Sequence, residues 1–183
     1  MALVLPLVAS AVSFEVKIDG IYYILSTMYM DAVVTSGDTP YTGSVTIPET
    51  VTYNDETYSV VSINGSTFYN CTDLTSVVFP NTVSSIGSFY GCSSLTSLTI
   101  PNSVTSISNG AFHGCSSLTS LTIPNSVTLI GENTFYGCPS LTSLTIPSSV
   151  TSIGKRAFED CSGLTPWTKT SCASEHCLSC SLA

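Results

Sequence analysis

The chain has 183 residues, room for one ordinary domain, and only 9% of them are charged, against roughly 25% in typical soluble proteins. Its formal net charge of -8 arises mostly near the N-terminus, where Glu15, Asp19, Asp31, Asp38, Glu49, Asp55 and Glu56 face the single Lys17. That balance excludes nucleic acid as a partner, because phosphates demand a basic stripe and none exists here.

Residues 1–11 (MALVLPLVASA) read as the back half of a secretory signal peptide, a short apolar run ending in the small residues Ala9-Ser10-Ala11. The run is too short for a transmembrane helix, and Pro6 interrupts it. No insertion into a membrane is expected. From Phe14 to Ile18 apolar and polar residues alternate, Asp19-Gly20 offers a hairpin turn, and Ile21 to Leu25 forms the return strand. Residues 12–46 are therefore expected to form a β-rich cap.

An internal repeat follows, and it decides the fold. Leu95 to Pro101 reads LTSLTIP and recurs at Leu118 to Pro124 and Leu141 to Pro147, with a looser copy, LTSVVFP, at Leu74 to Pro80. Each copy follows a cysteine (Cys71, Cys92, Cys115, Cys138), and Cys161 opens a fifth, in steps of 21, 23, 23 and 23 residues. In one unit, Leu95, Leu98 and Ile100 have the spacing of a short strand, and Pro101 ends it for want of an N–H. Val104 and Ile107 form a second inward pair, then Gly110-Ala111-Phe112 turns the chain and Gly114-Cys115 returns it. No unit can bury all of these alone, whereas stacked units cover one another's open faces. Nine extra residues separate Pro48 from Ile63, and residues 52–60 are expected to project from the coil as a hairpin. The copy between Ile86 and Phe89 is two residues short, so its turn must be tighter.

The units LTSLTIPNSVTSISNGAFHGCSS and LTSLTIPNSVTLIGENTFYGCPS resemble the BspA-like, Treponema pallidum-type leucine-rich repeats, over about Ile47 to Thr165. The segment from Ile47 to Val60 is similar to the first coil of such proteins from Bacteroides-like bacteria. Three departures stand out: the shortened turn, Asn64 and Ser108 where glycine is usual after the isoleucine, and loss of the pattern after Thr165. The resemblance implies a leucine-rich-repeat solenoid, a right-handed coil with a parallel sheet on its concave face, behind an N-terminal β-hairpin cap. It also implies a secreted or cell-surface protein used in adhesion to host matrix proteins or in cell–cell contact. No catalytic residue carries over.

The residues themselves offer little for catalysis. His113 and His176 are the only histidines. No serine has a nucleophile-elbow setting, and Glu159-Asp160 reads as the solvated end of a turn. His113 occupies the variable position of the return that Tyr90 and Tyr136 fill in neighbouring units, and reads as surface filler. The ladder cysteines read as buried free thiols, since equivalent Cβ vectors in a parallel stack run side by side. The tail, residues 166–183, carries Cys172, Cys177 and Cys180 beside His176. A frayed segment is the reading preferred there over a disulfide or a metal site. No cofactor or metal is expected.

Binding is the remaining expectation. Ser97, Thr99, Ser120, Thr122, Ser143 and Thr145 should face outward as a neutral hydroxyl ribbon, with Tyr53 and Tyr58 of the inserted hairpin as aromatic anchors. The expected partner is an extracellular protein or a host matrix or cell-surface ligand, with self-association through the C-terminal end coil as a further possibility. A structural spacer within a larger surface protein is the rival. Binding of ice or a crystalline polysaccharide through the hydroxyl ladder is a minor third.

Overall fold

The computed structural model describes residues 12–164; the signal-like residues 1–11 and the cysteine-bearing tail, 166–183, lie outside it. Among the described residues there is no helix, and strands and turns build everything. The expected solenoid with a β cap is the fold the chain adopts.

The cap begins with the hairpin β1 (Ser13–Ile18) and β2 (Ile21–Ser26), paired antiparallel about Asp19-Gly20. Both turn residues have positive φ, 48° and 86°, as a tight two-residue hairpin requires. Strand β3 (Asp31–Thr35) pairs antiparallel with β2. In β2 the alternating side chains Ile21, Tyr23 and Leu25 enter the core. Strand β4 (Gly43–Thr46) leaves this sheet for the repeats, where it pairs parallel with β7 (Leu74–Val78). The repeat sheet thus starts at Gly43, inside the segment expected to be cap.

The inserted hairpin, β5 (Thr50–Tyr53) and β6 (Glu56–Ile63), turns at Asn54-Asp55, both at positive φ. It does not project. Strand β6 pairs parallel with β3, which makes the hairpin the far side of a five-stranded cap sheet, β1-β2-β3-β6-β5. The reason is burial: Val51, Tyr58, Val60 and Ile63 are core residues and would be wetted on a projecting arm.

The repeats form a second five-stranded sheet, β12-β10-β8-β7-β4, in which every pairing is parallel. Its later strands are β8 (Ser97–Thr99), β10 (Ser120–Thr122) and β12 (Ser143–Thr145). Across the coil, β9 (Ser106–Ile107), β11 (Leu129–Ile130) and β13 (Ser152–Ile153) make a short third sheet. The shortened copy contributes no strand to that third sheet; there Gly87, at φ 71°, takes the tighter turn.

Between the sheets runs one core. Leu95, Leu118 and Leu141 are wholly buried, as are Val104, Ile107 and Cys115. Phe68, Phe89, Phe112, Phe135 and Phe158 stack in a column, with centroids 4.9, 5.5, 5.3 and 5.4 Å apart and planes within 10°. Parallel rings touch at about 3.5 Å, so these separations mean slipped stacks, the arrangement that aromatic quadrupoles favour. Tyr41 closes the N-terminal end of the column, 5.4 Å from Phe68. Its hydroxyl donates to the Thr35 carbonyl (2.8 Å) and accepts from the Tyr22 N–H (3.0 Å), tying cap to repeats.

Candidate binding surfaces

Parallel pairing in flush register sets Ser97, Ser120 and Ser143 in one row and Thr99, Thr122 and Thr145 in the next. All six are exposed, while Leu98 and Leu121 between them are buried. The structure therefore brings the expected hydroxyl ribbon together. Ser76 continues the serine row through β7, and Ser44 extends it into β4, their hydroxyls 2.8 Å apart. At that end a cleft of about 320 Å³ lies between cap and repeats, lined by Lys17, Asp19, Thr39, Thr42, Ser44 and Thr46 among others.

Many other hydroxyls do structural work that sequence inspection missed. Thr96, Thr119 and Thr142 each donate to the threonine carbonyl one coil earlier, at 3.3 Å. Ser126 and Ser149 donate to Val104 and Val127 carbonyls at 2.6 and 2.8 Å. The recurrence of Thr after each repeat leucine was the available signal. These bonds explain why Ser and Thr, rather than charged residues, fill the chain's polar positions: a short hydroxyl reaches the neighbouring coil, and a long charged side chain does not.

The two expected anchors fare differently from the ribbon. Tyr58 is only 2% exposed and belongs to the core, its hydroxyl donating to Glu56 at 3.0 Å, so it offers no ring to a partner. Tyr53 is half-buried and tilts against Phe14 at 5.5 Å. Both lie on the cap sheet, apart from the hydroxyl ribbon. The hairpin reading overlooked that period-two alternation along β6 sends Tyr58 the same way as Val60.

A second surface emerges at the returns. Each phenylalanine of the inner column is followed by a residue that points outward, and four of these form an outer stack. Tyr69 lies 5.1 Å from Tyr90, Tyr90 4.4 Å from His113, and His113 4.8 Å from Tyr136, all within 17° of parallel. His113 is thus the middle of an aromatic column, which corrects its reading as filler. Beyond Tyr136 the Arg156 guanidinium sits 5.1 Å over the ring. Glu159 holds that guanidinium through two bonds, 2.6 and 2.9 Å, and Arg156 in turn holds the Glu159 carboxyl below its usual pKa. The Glu159 side chain is therefore the orienting partner of an arginine.

The ladder thiols Cys71, Cys92, Cys115, Cys138 and Cys161 are free and buried. From Cys92 onward each donates to the phenylalanine carbonyl one coil earlier, at 3.0, 3.1, 3.1 and 2.9 Å. Burial pushes the Cys92 thiol up to about 12 and Cys115 higher still. Neutral thiols of this kind are poor nucleophiles and poor metal ligands. Among the described residues no group of three or more His, Cys, Asp or Glu side chains is placed to hold a metal ion.

Comparison with known proteins agrees with this architecture. The family described as BspA type leucine-rich repeat region matches in six copies over residues 44–165. The chain belongs to the BspA-type leucine-rich-repeat family. Among solved structures it is similar to a leucine-rich repeat protein from Bacteroides ovatus, at 36% identity and TM-score 0.75 over 82% of this chain and 40% of that one. The T. pallidum leucine-rich repeat protein matches at 31% identity and TM-score 0.69, over 82% of this chain and 69% of that one. A leucine-rich repeat protein from Bacteroides capillosus follows at 26% identity and TM-score 0.60, over 73% of this chain and 98% of that one. This BspA-type chain thus spans well under half of the B. ovatus protein it resembles. No curated protein matches it.

Proposed function

We propose that this BspA-type chain is a protein-binding module, secreted or held at a cell surface, that serves adhesion and performs no chemistry. One observation carries the reading: the repeats align an exposed row of hydroxyls, strand after strand, on a parallel sheet whose central leucines, Leu98 and Leu121, are turned inward. Such a surface can be contacted over several strands without being reshaped. Membership of a repeat family built for interaction supports the same reading. The location outside the cell rests on the apolar run that ends in Ala9-Ser10-Ala11. No helix of the described residues is long and apolar enough to cross a membrane.

The test is a binding array of matrix and cell-surface proteins probed with the full chain and with Thr122→Arg. Residue 122 is exposed at the middle of the ribbon, so the variant should fold normally and lose the bound partner. Capture of the same partner by both proteins would remove the ribbon from the contact. Capture of nothing by either would favour the spacer.

A further inference from the structure

The outer aromatic column has two ends, and the molecule itself shows what one end accepts. At Tyr136 the stack is continued by a guanidinium, that of Arg156, at 5.1 Å, a step matching the 4.4–5.1 Å between the rings. At the opposite end stands Tyr69. One of its faces lies on Tyr90, no other ring pairs with it among the described residues, and it remains 51% exposed. We propose that the open face of Tyr69 is an arginine-accepting site, which takes the guanidinium of a partner protein as the next step of the column.

Three physical arguments select arginine. A planar cation stacks on a ring face and is drawn by its quadrupole, and guanidinium is more weakly hydrated than ammonium and so leaves water more readily. The ring is already held flat by a stack of four and backed by the rigid phenylalanine column, so little side-chain entropy is lost on contact. The chain's net charge of -8, concentrated in the N-terminal part where Lys17 is the one cation before the repeats, draws a basic partner toward this end of the solenoid. Tyr90 and His113 each stack between two rings and Tyr136 lies between His113 and Arg156, which leaves Tyr69, 51% exposed, as the one ring of the column with a single stacking partner among the described residues.

The proposal deepens the protein-binding reading and rests on it, but its test uses small probes. A failure here therefore leaves the array result standing. The full chain, isotopically labelled on tyrosine, would be titrated with N-acetyl-arginine amide at millimolar concentration while the tyrosine ring signals are followed by NMR. The expected result is a saturable shift centred on Tyr69. The shift it induces at the neighbouring Tyr90 ring should be retained in Tyr69→Phe and abolished in Tyr69→Ala, and both signals should respond more weakly to N-acetyl-lysine amide. Since the residue is half-exposed, the alanine variant should fold, and unchanged signals from Tyr23 would verify that. An equal response to the lysine probe would reduce the effect to net charge and overturn the proposal. A larger response to methyl glucoside would make Tyr69 a sugar platform and overturn it too, as would no shift at Tyr69.

Discussion

One position in each return turn shows how the chain tolerates substitution. Asn70, Gly91, Gly114, Gly137 and Asp160 occupy equivalent places, with φ of 54°, 72°, 71°, 69° and 59°. This left-handed region is open to glycine and tolerated by Asn and Asp, whose short side chains bond locally. At Gly114 an added Cβ would find its nearest neighbour, the Gly91 Cα, at 3.8 Å, so space is available and only the backbone objects. Gly114→Ala should therefore cost about 1–2 kcal/mol, and Gly114→Asn less, in urea unfolding. An asparagine variant weaker than the alanine one would refute that account. Gly37 is a different case: a Cβ there would overlap the Tyr22 ring, so any side chain at 37 must displace that ring. Sequence spacing exposed the repeating position, because it recurs beside each cysteine; it could not expose Gly37, which recurs nowhere.

At the scale of elements, the phenylalanine column and the strand leucines hold the coils together. Phe112 is completely buried between Phe89 and Phe135, so Phe112→Ala should destabilise by about 3–5 kcal/mol and lower the urea midpoint without changing strand content below it. Leu121→Asp is harsher: at 4% exposure it places a carboxylate where no cation or donor answers it, and the stack should unfold. Circular dichroism separates these outcomes, and a cooperative Leu121→Asp protein melting near the parent's temperature would contradict the inward register. The leucine and phenylalanine positions were legible beforehand since each repeats every coil. The partner of β5–β6 was not. An Asn-Asp turn announces a hairpin, but which edge that hairpin joins depends on β3, and no periodicity links the two segments.

For the whole molecule, buried acids tie stability to alkaline pH. Burial lifts Cys92 from 9.0 and Tyr23 from 10.0 to about 12 each, and burial raises Cys115 as well. In the unfolded chain these groups ionise from pH 9 upward, while the folded chain keeps its protons. The unfolded state then binds fewer protons, so stability is whole below pH 9 and falls as pH rises toward 12. Each group contributes a slope of roughly 1.4 kcal/mol per pH unit within that window. Urea midpoints taken at pH 7 and at pH 10.5 should differ clearly, and equal midpoints would show that the thiols are not sealed. The same sealing predicts that Cys71, Cys92, Cys115, Cys138 and Cys161 resist alkylation until the chain unfolds, read by mass spectrometry.

Periodicity by itself determined that this chain is a solenoid. A unit of twenty-odd residues with seven apolar positions has no stable fold alone, and identical units can share a core only by stacking in register. The same reasoning placed Ser97, Thr99, Ser120, Thr122, Ser143 and Thr145 outward, because strand alternation leaves them no other direction. Tertiary structure alone decided what lies side by side between coils. Stacking at about 4.8 Å turns a variable position into the Tyr69–Tyr90–His113–Tyr136 column and turns scattered hydroxyls into bonds to the preceding coil. It also drew Tyr41 and Tyr58 into the core, where non-repeating segments close the first coil. A repeat specifies its own neighbours; an unrepeated segment goes wherever burial of its apolar face is greatest, and that is settled only in three dimensions.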